Sequence, residues 1–210
     1  MKAHFSLPTS LLLFASIFCA TLLQSCGEED YIPKPKAYFR IILPEHNYQS
    51  YVSEDCPFAF EQATYAKVAK NRSAGANPCW IDIDYPDLNA KIHLSYKEVG
   101  GKSDNLPKLI NDAYKLNSKH VRKADYIEEV PIRNEQGVLG LWYKVGGDAA
   151  SSTQLYLTDS LNHFIWASLY FSSTPNEDSI APVVKFIRKD LDRFVESFEW
   201  KREVGSRKSD

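Results

Sequence analysis

The chain has 210 residues, with 25 Lys and Arg against 27 Asp and Glu, a formal net charge of −2, and 44% hydrophobic and 13% aromatic residues. So much apolar and aromatic material with mixed charge excludes an intrinsically disordered polypeptide and suffices for one domain with a real core. The near-neutral balance, without any cluster or stripe of Lys and Arg, excludes a nucleic-acid-binding surface.

The N-terminus reads as an address. Lys2 supplies a positive start, and an apolar stretch runs from Leu11 to Leu23. Ser16, Cys19 and Thr21 interrupt it, and it falls short of the roughly 20 apolar residues a spanning helix needs. It ends in Leu23-Gln24-Ser25-Cys26, an aliphatic residue three before a cysteine and a small residue directly before it. That is a lipoprotein signal, with Gln24 a less usual choice within it. Residues 1–25 are expected to be removed and Cys26 to carry a diacylglyceryl group on its sulfur. The competing reading is an uncleaved anchor helix. Residues 26–36, acidic and then Pro-rich, form an extended spacer between the lipid and the domain.

Residues 37–200 are expected to form a single globular domain, followed by a polar tail at 201–210. Residues 38–43 read as a first strand stopped by Pro44, and 58–60 and 66–68 as shorter ones. Ile81-Asp82-Ile83-Asp84-Tyr85 and residues 92–97 both alternate apolar with polar, predicting a hairpin turned at Pro86 and Asn89. Between 105 and 121 the period lengthens, with Leu106, Leu109, Ile110, Ala113 and Tyr114 on one face. This predicts a helix capped by Asp104 or Asn105. Four strands follow, at 126–132, 138–145, 154–158 and 163–171, separated by Gly137, Gly146-Gly147 and Ser160-Leu161-Asn162. A last helix spans 179–200, with a stripe of Ile180, Val183, Val184, Ile187, Leu191, Phe194, Val195 and Phe198. Short-looped successive strands imply an antiparallel sheet, so the class is α+β with helices packed on the sheet.

Four cysteines divide by position. Cys19 leaves with the signal and Cys26 takes the lipid. Cys56 and Cys79 form an even pair, suited to a disulfide in an oxidising compartment. Two free buried thiols or a metal site are the alternatives, the latter poor because no histidine pair is near. In the strand 163–171, Phe164, Trp166 and Tyr170 occupy one face and Ile165, Ala167, Leu169 and Phe171 the other. A central strand covered on both sides explains this. The alternative is an exposed aromatic patch of Phe164, Trp166 and Tyr170 that docks a partner.

Chemistry is sparse. No nucleophile elbow, phosphate-binding loop, dinucleotide fingerprint or metalloprotease motif is present. Asp82 and Asp84 share a strand face and would suit either a cation or acid–base work, though a solvated face explains them as well. His46, His93, His120 and His163 are scattered without ligand spacing. Ser151-Ser152-Thr153, Lys123-Ala124-Asp125 and Asp159-Ser160 read as turn and edge residues. The expectation is a protein that is not an enzyme and needs no cofactor or metal.

Several stretches together resemble one family. They include Asp30-Tyr31-Ile32-Pro33-Lys34-Pro35, Leu43-Pro44-Glu45-His46, Cys56-Pro57-Phe58, Cys79-Trp80 and Ala90-Lys91-Ile92-His93-Leu94-Ser95-Tyr96. Later ones are Ala150-Ser151-Ser152-Thr153-Gln154, Tyr156-Leu157-Thr158-Asp159-Ser160 and Leu169-Tyr170-Phe171. In order and number they resemble the gliding-motility lipoprotein GldD family of the Bacteroidetes. The resemblance implies an envelope lipoprotein required for gliding motility and the associated type IX secretion system, working through protein partners. It implies no catalytic residues, and its cysteines fall on Cys26, Cys56 and Cys79. It favours an outer-membrane position facing the periplasm, with the cell surface or inner membrane as alternatives. The element order is also similar to the PsbP/Mog1 type of α/β sandwich, a likeness of fold only. A tethered hydrolase or small-ligand carrier is the competing function.

Overall fold

The computed structural model describes residues 40–100, 105–118, 124–172 and 176–201. The signal segment, Cys26, the spacer, His120, Lys123 and the tail from 202 lie outside them.

Among the described residues, ten strands and two α-helices follow in order: β1 (Tyr48–Val52), β2 (Phe58–Ala63), β3 (Lys67–Lys70), β4 (Ile81–Tyr85), β5 (Ala90–Glu98), α1 (Asn105–Ser118), β6 (Tyr126–Arg133), β7 (Leu139–Gly146), β8 (Thr153–Thr158), β9 (His163–Phe171), α2 (Glu177–Ser197) and β10 (Glu199–Trp200). Seven strands form one sheet in the order β3-β4-β5-β9-β8-β7-β6, and three form another, β1-β2-β10. Every pairing is antiparallel. The class is α+β, as the short loops require.

The alternation read in the sequence sorts the sheet faces. Ile81, Ile83, Ile92, Leu94, Leu155, Leu157, Ile165, Ala167 and Leu169 turn to the inner face and are buried. Against them α2 lays Val183, Phe186, Ile187, Leu191 and Phe194, and β2 adds Phe58 and Phe60 to the same core. Each such side chain contributes about 1.5–3 kcal/mol on burial. β9 is the fourth of seven strands, so it has neighbours on both edges as well as residues packed on both faces. This central position is why its sequence is apolar throughout.

The turns follow from local chemistry. β4 and β5 form the predicted hairpin, with Ile83 opposite Ile92. Asn89 takes the left-handed conformation there, at φ 48°, which Asn tolerates better than most residues. Asp159 organises the β8–β9 turn by accepting from the N–H groups of Leu161, Asn162 and His163 at 2.8–2.9 Å. Burial pushes its carboxyl up, but those backbone donors outweigh this and hold it below its ordinary value. Asn176 caps α2, its side chain accepting from the Ser179 N–H at 3.0 Å, with Glu177 and Asp178 in the first turn.

Two local expectations are corrected. Residues 40–43 form no strand; the first strand is β1, whose Tyr-Gln-Ser-Tyr-Val lacks apolar alternation and is held by pairing with β2. α2 ends at Ser197, and Phe198 is extended, so that Glu199 and Trp200 pair with β2. The side chain of Asn134, in the β6–β7 turn, caps this end by donating to the carbonyls of Val195 and Phe198 at 2.9 and 2.7 Å. Asn105 donates its side-chain N–H to the Val99 carbonyl at 2.8 Å, binding α1 to the end of β5.

Cys56 and Cys79 are joined in a disulfide with Cα atoms 5.5 Å apart. Cys56 precedes β2 of the small sheet, and Cys79 precedes β4 of the large one. The bond therefore clamps the two sheets and closes a 23-residue separation, worth on the order of 3 kcal/mol.

Candidate functional site

The outer face of the large sheet, opposite α2, carries most of the residues singled out for chemistry. In register, Asp82 on β4 faces His93 on β5, and His93 faces Ser168 on β9. Asp82 Oδ1 and His93 Nδ1 are 2.7 Å apart. Asn71 donates to the same oxygen at 3.0 Å. One step along the strands, Lys91 pairs with Asp84 at 3.1 Å and reaches Asp82 at 3.8 Å. The two aspartates are thus not a coupled carboxylate pair: each has a cationic or imidazole partner on β5.

An Asp–His–Ser row invites comparison with a nucleophilic triad, which also needs donors aimed at a developing oxyanion. Ser168 sits in a strand paired on both sides, so the neighbouring backbone N–H groups are spent in the ladder. The best-formed concavities among the described residues are not lined by Asp82, Asp84, His93 or Ser168. Among the described residues, no three His, Cys, Asp or Glu side chains gather as metal ligands.

The aromatic residues of β9 separate. Phe164 is 2% exposed, packed with Val99 and Ala113 beneath α1. It offers no surface to a partner, which corrects its place in the aromatic patch: the helix needs an apolar seat, and Phe164 is that seat. Trp166 is half-buried at the border of α1, where a cavity of about 190 Å³ opens between it, Trp80 and Leu109. Tyr170, 38% exposed, lies beyond the helix, its ring 5.6 Å from that of His93.

Ser151-Ser152-Thr153 is structural. Arg188 of α2 donates to Thr153 Oγ1 at 2.9 Å and to the Ser152 carbonyl at 2.8 Å, tying helix to sheet. His163 bonds to the Tyr96 hydroxyl at 2.9 Å and stacks on Trp200 with centroids 5.0 Å apart.

Sequence reasoning missed the most deeply buried charged cluster. Asp190 of α2 has a side chain 2% exposed. His46 Nδ1 lies 2.7 Å from its Oδ1. Tyr65 donates to it at 2.8 Å and Tyr48 at 3.2 Å. The His46 ring is stacked on Phe186, 4.2 Å between centroids. Burial, followed by the Asp190 charge, pushes the Tyr48 hydroxyl up to about 12; burial and the hydrogen bond to Asp190 raise Tyr65, and burial raises Tyr85 well above its ordinary value. A signal existed: position 190 falls within the helical stripe of Val183, Ile187, Leu191 and Phe194, where an aspartate has to find partners. The cluster fastens the segment entering the domain, at His46, to the helix at the chain's other end.

These features define a disulfide-clamped, antiparallel α+β domain. Its family follows from comparison. The chain belongs to the gliding motility lipoprotein GldD family, whose model matches residues 28–200. Among solved structures it is similar to the solution structure of cyanobacterial PsbP from Synechocystis sp. PCC 6803, at 13% identity and a TM-score of 0.43, covering 85% of this chain and 99% of that one. No curated protein matches it. Among the described residues no helix is long and apolar enough to cross a membrane.

Proposed function

We propose that this chain is a lipid-anchored, non-catalytic assembly component of the gliding machinery and its associated type IX secretion system. It is held at Cys26 to the outer membrane, faces the periplasm, and works by binding protein partners. The observation that carries this reading is family membership across residues 28–200. The lipoprotein signal ending at Cys26 and the engagement of the outer-face charges with one another support it. Deletion of the gene should abolish colony spreading and secretion of type IX cargo; normal secretion in a clean deletion would reject the secretion role. Protease shaving of intact cells should leave the protein whole, and its digestion would place it on the cell surface instead.

A second reading, a tethered hydrolase or small-ligand carrier, draws on the alignment of Asp82, His93 and Ser168. His93→Ala and Ser168→Ala variants that glide normally would remove it.

A further inference from the structure

A groove of about 820 Å³ runs between β1 and β2 of the small sheet, β6 with the turn after it, and the last turns of α2. Phe60, Trp142 and Val195 line it from the core side. Trp142 is 4% exposed, and its indole N–H has no acceptor among the described residues. A buried donor left unmade is costly, so a group that accepts from it is favoured there.

The rim is acidic. Glu61, Glu135, Asp192, Glu196 and Glu199 line it against Arg133 and Arg193. Arg193 is already engaged, 2.6 Å from Glu61 and 3.7 Å from Glu196. Burial pushes the Asp192 carboxyl up; Lys144 opposes this, and Glu196 adds to it. Negative charge on this rim is therefore under-compensated, and a cation entering it is attracted.

Two of its strand walls, β1 and β6, are edges; the third, β2, is paired with β1 and β10. Among the described strands, β1 pairs only with β2 and β6 only with β7. Pro131 removes a backbone donor from β6, blunting that edge. β1 has no proline and no charged residue, and Val52 at its end is 65% exposed. An open strand edge accepts an extended chain through backbone hydrogen bonds, whatever that chain's side chains are. Nucleic acid and anionic lipid are repelled by the rim.

We propose that this groove docks an extended segment of a protein partner that carries Lys or Arg, added as a strand to the free edge of β1. The proposal rests on the partner-binding reading above and names the surface and the partner's chemistry.

The test uses the detergent-solubilised, full-length lipidated chain and two fluorescent octapeptides. One alternates Arg or Lys with Thr or Val; in the other Glu replaces each basic residue. Anisotropy should show saturable binding of the basic peptide, weakened by added salt, and none of the acidic one. The double variant Asp192→Lys/Glu196→Lys changes two exposed positions of α2, so it should melt like the parent and bind the basic peptide about ten-fold more weakly. A basic peptide with proline at alternate positions should also lose binding, since it cannot donate to a strand edge. Equal binding of the two charge types, failure of the basic peptide to bind, its displacement by calcium alone, or indifference to the double variant would each overturn the proposal. In cells, the variant should glide poorly at normal protein level. If deletion abolishes gliding but the variant glides normally, the groove is not the partner site, while the motility reading stands. If deletion leaves gliding intact, the motility reading fails whatever the peptides show.

Discussion

Replacing Cys26 with serine is expected to abolish gliding while leaving the domain folded. The reason is separation. The core among the described residues begins at Leu43, and the disulfide and the Asp190 cluster lie further on, so all three form well downstream of position 26. What is lost is position: without its acyl chains the protein leaves the membrane, since stable anchoring needs two chains or a second signal. Three measurements decide it. The variant should move from the membrane to the soluble periplasmic fraction, melt at the parental temperature, and fail to support spreading. A soluble form that restores full spreading would show that the tether is not what the protein mainly depends on.

Asp190→Ala should be the most damaging single change within the domain. Removing the carboxylate takes away the acceptor that His46, Tyr48 and Tyr65 share, and leaves the two hydroxyls only His46 Nδ1, at 3.4 and 3.2 Å. Breaking a buried pair from one side typically costs about 3–5 kcal/mol, which for a domain of this size lowers the melting temperature by roughly 10 °C. Asp190→Asn keeps an acceptor oxygen and should cost less. A parental melting curve for Asp190→Ala would mean the cluster relaxes around water and does not hold the fold.

The same cluster sets an alkaline limit. Its tyrosines stay protonated in the fold at pH values where those of an unfolded chain, with a pKa of about 10, ionise. The unfolded state therefore binds fewer protons as pH rises, and stability falls. The contribution is complete below about pH 10 and is lost as pH climbs towards the raised value of about 12 at Tyr48. Denaturation midpoints at successive alkaline pH values should fall across that window; a flat profile would contradict the burial of these hydroxyls.

Much of the fold was legible in the residues. Residues 81–85 and 163–171 were read with the bounds they have in β4 and β9, because alternation or continuous apolarity over a strand length is a local signal. β1 was illegible for the opposite reason: it is an edge strand, its residues are half-buried or exposed, and only the partner backbone of β2 makes it a strand. The end of α2 was overrun because Phe198 and Trp200 continue the apolar count, although they face the core from an extended chain.

The candidate site was legible only in part. Asp82, Asp84 and His93 could be named from their strands, but not that His93 meets Asp82 while Lys91 meets Asp84. Cross-strand register decides that, and a shift of one residue would have turned all of them inward. Phe164 follows the reading of β9 as a covered central strand and not the alternative of an exposed patch; the strand pattern gives the face of a side chain and not what covers that face.

The sequence by itself carried the pair Cys56 and Cys79, the α+β class and the family, because each is written in local order, spacing or periodicity. The tertiary structure alone decided what the charges do. His46 and Asp190 are 144 positions apart, and the walls of the acidic groove come from β1, β2, β6 and α2, spread over most of the domain. Such groups meet only when sheet order and helix docking bring them together, and no local pattern carries that information.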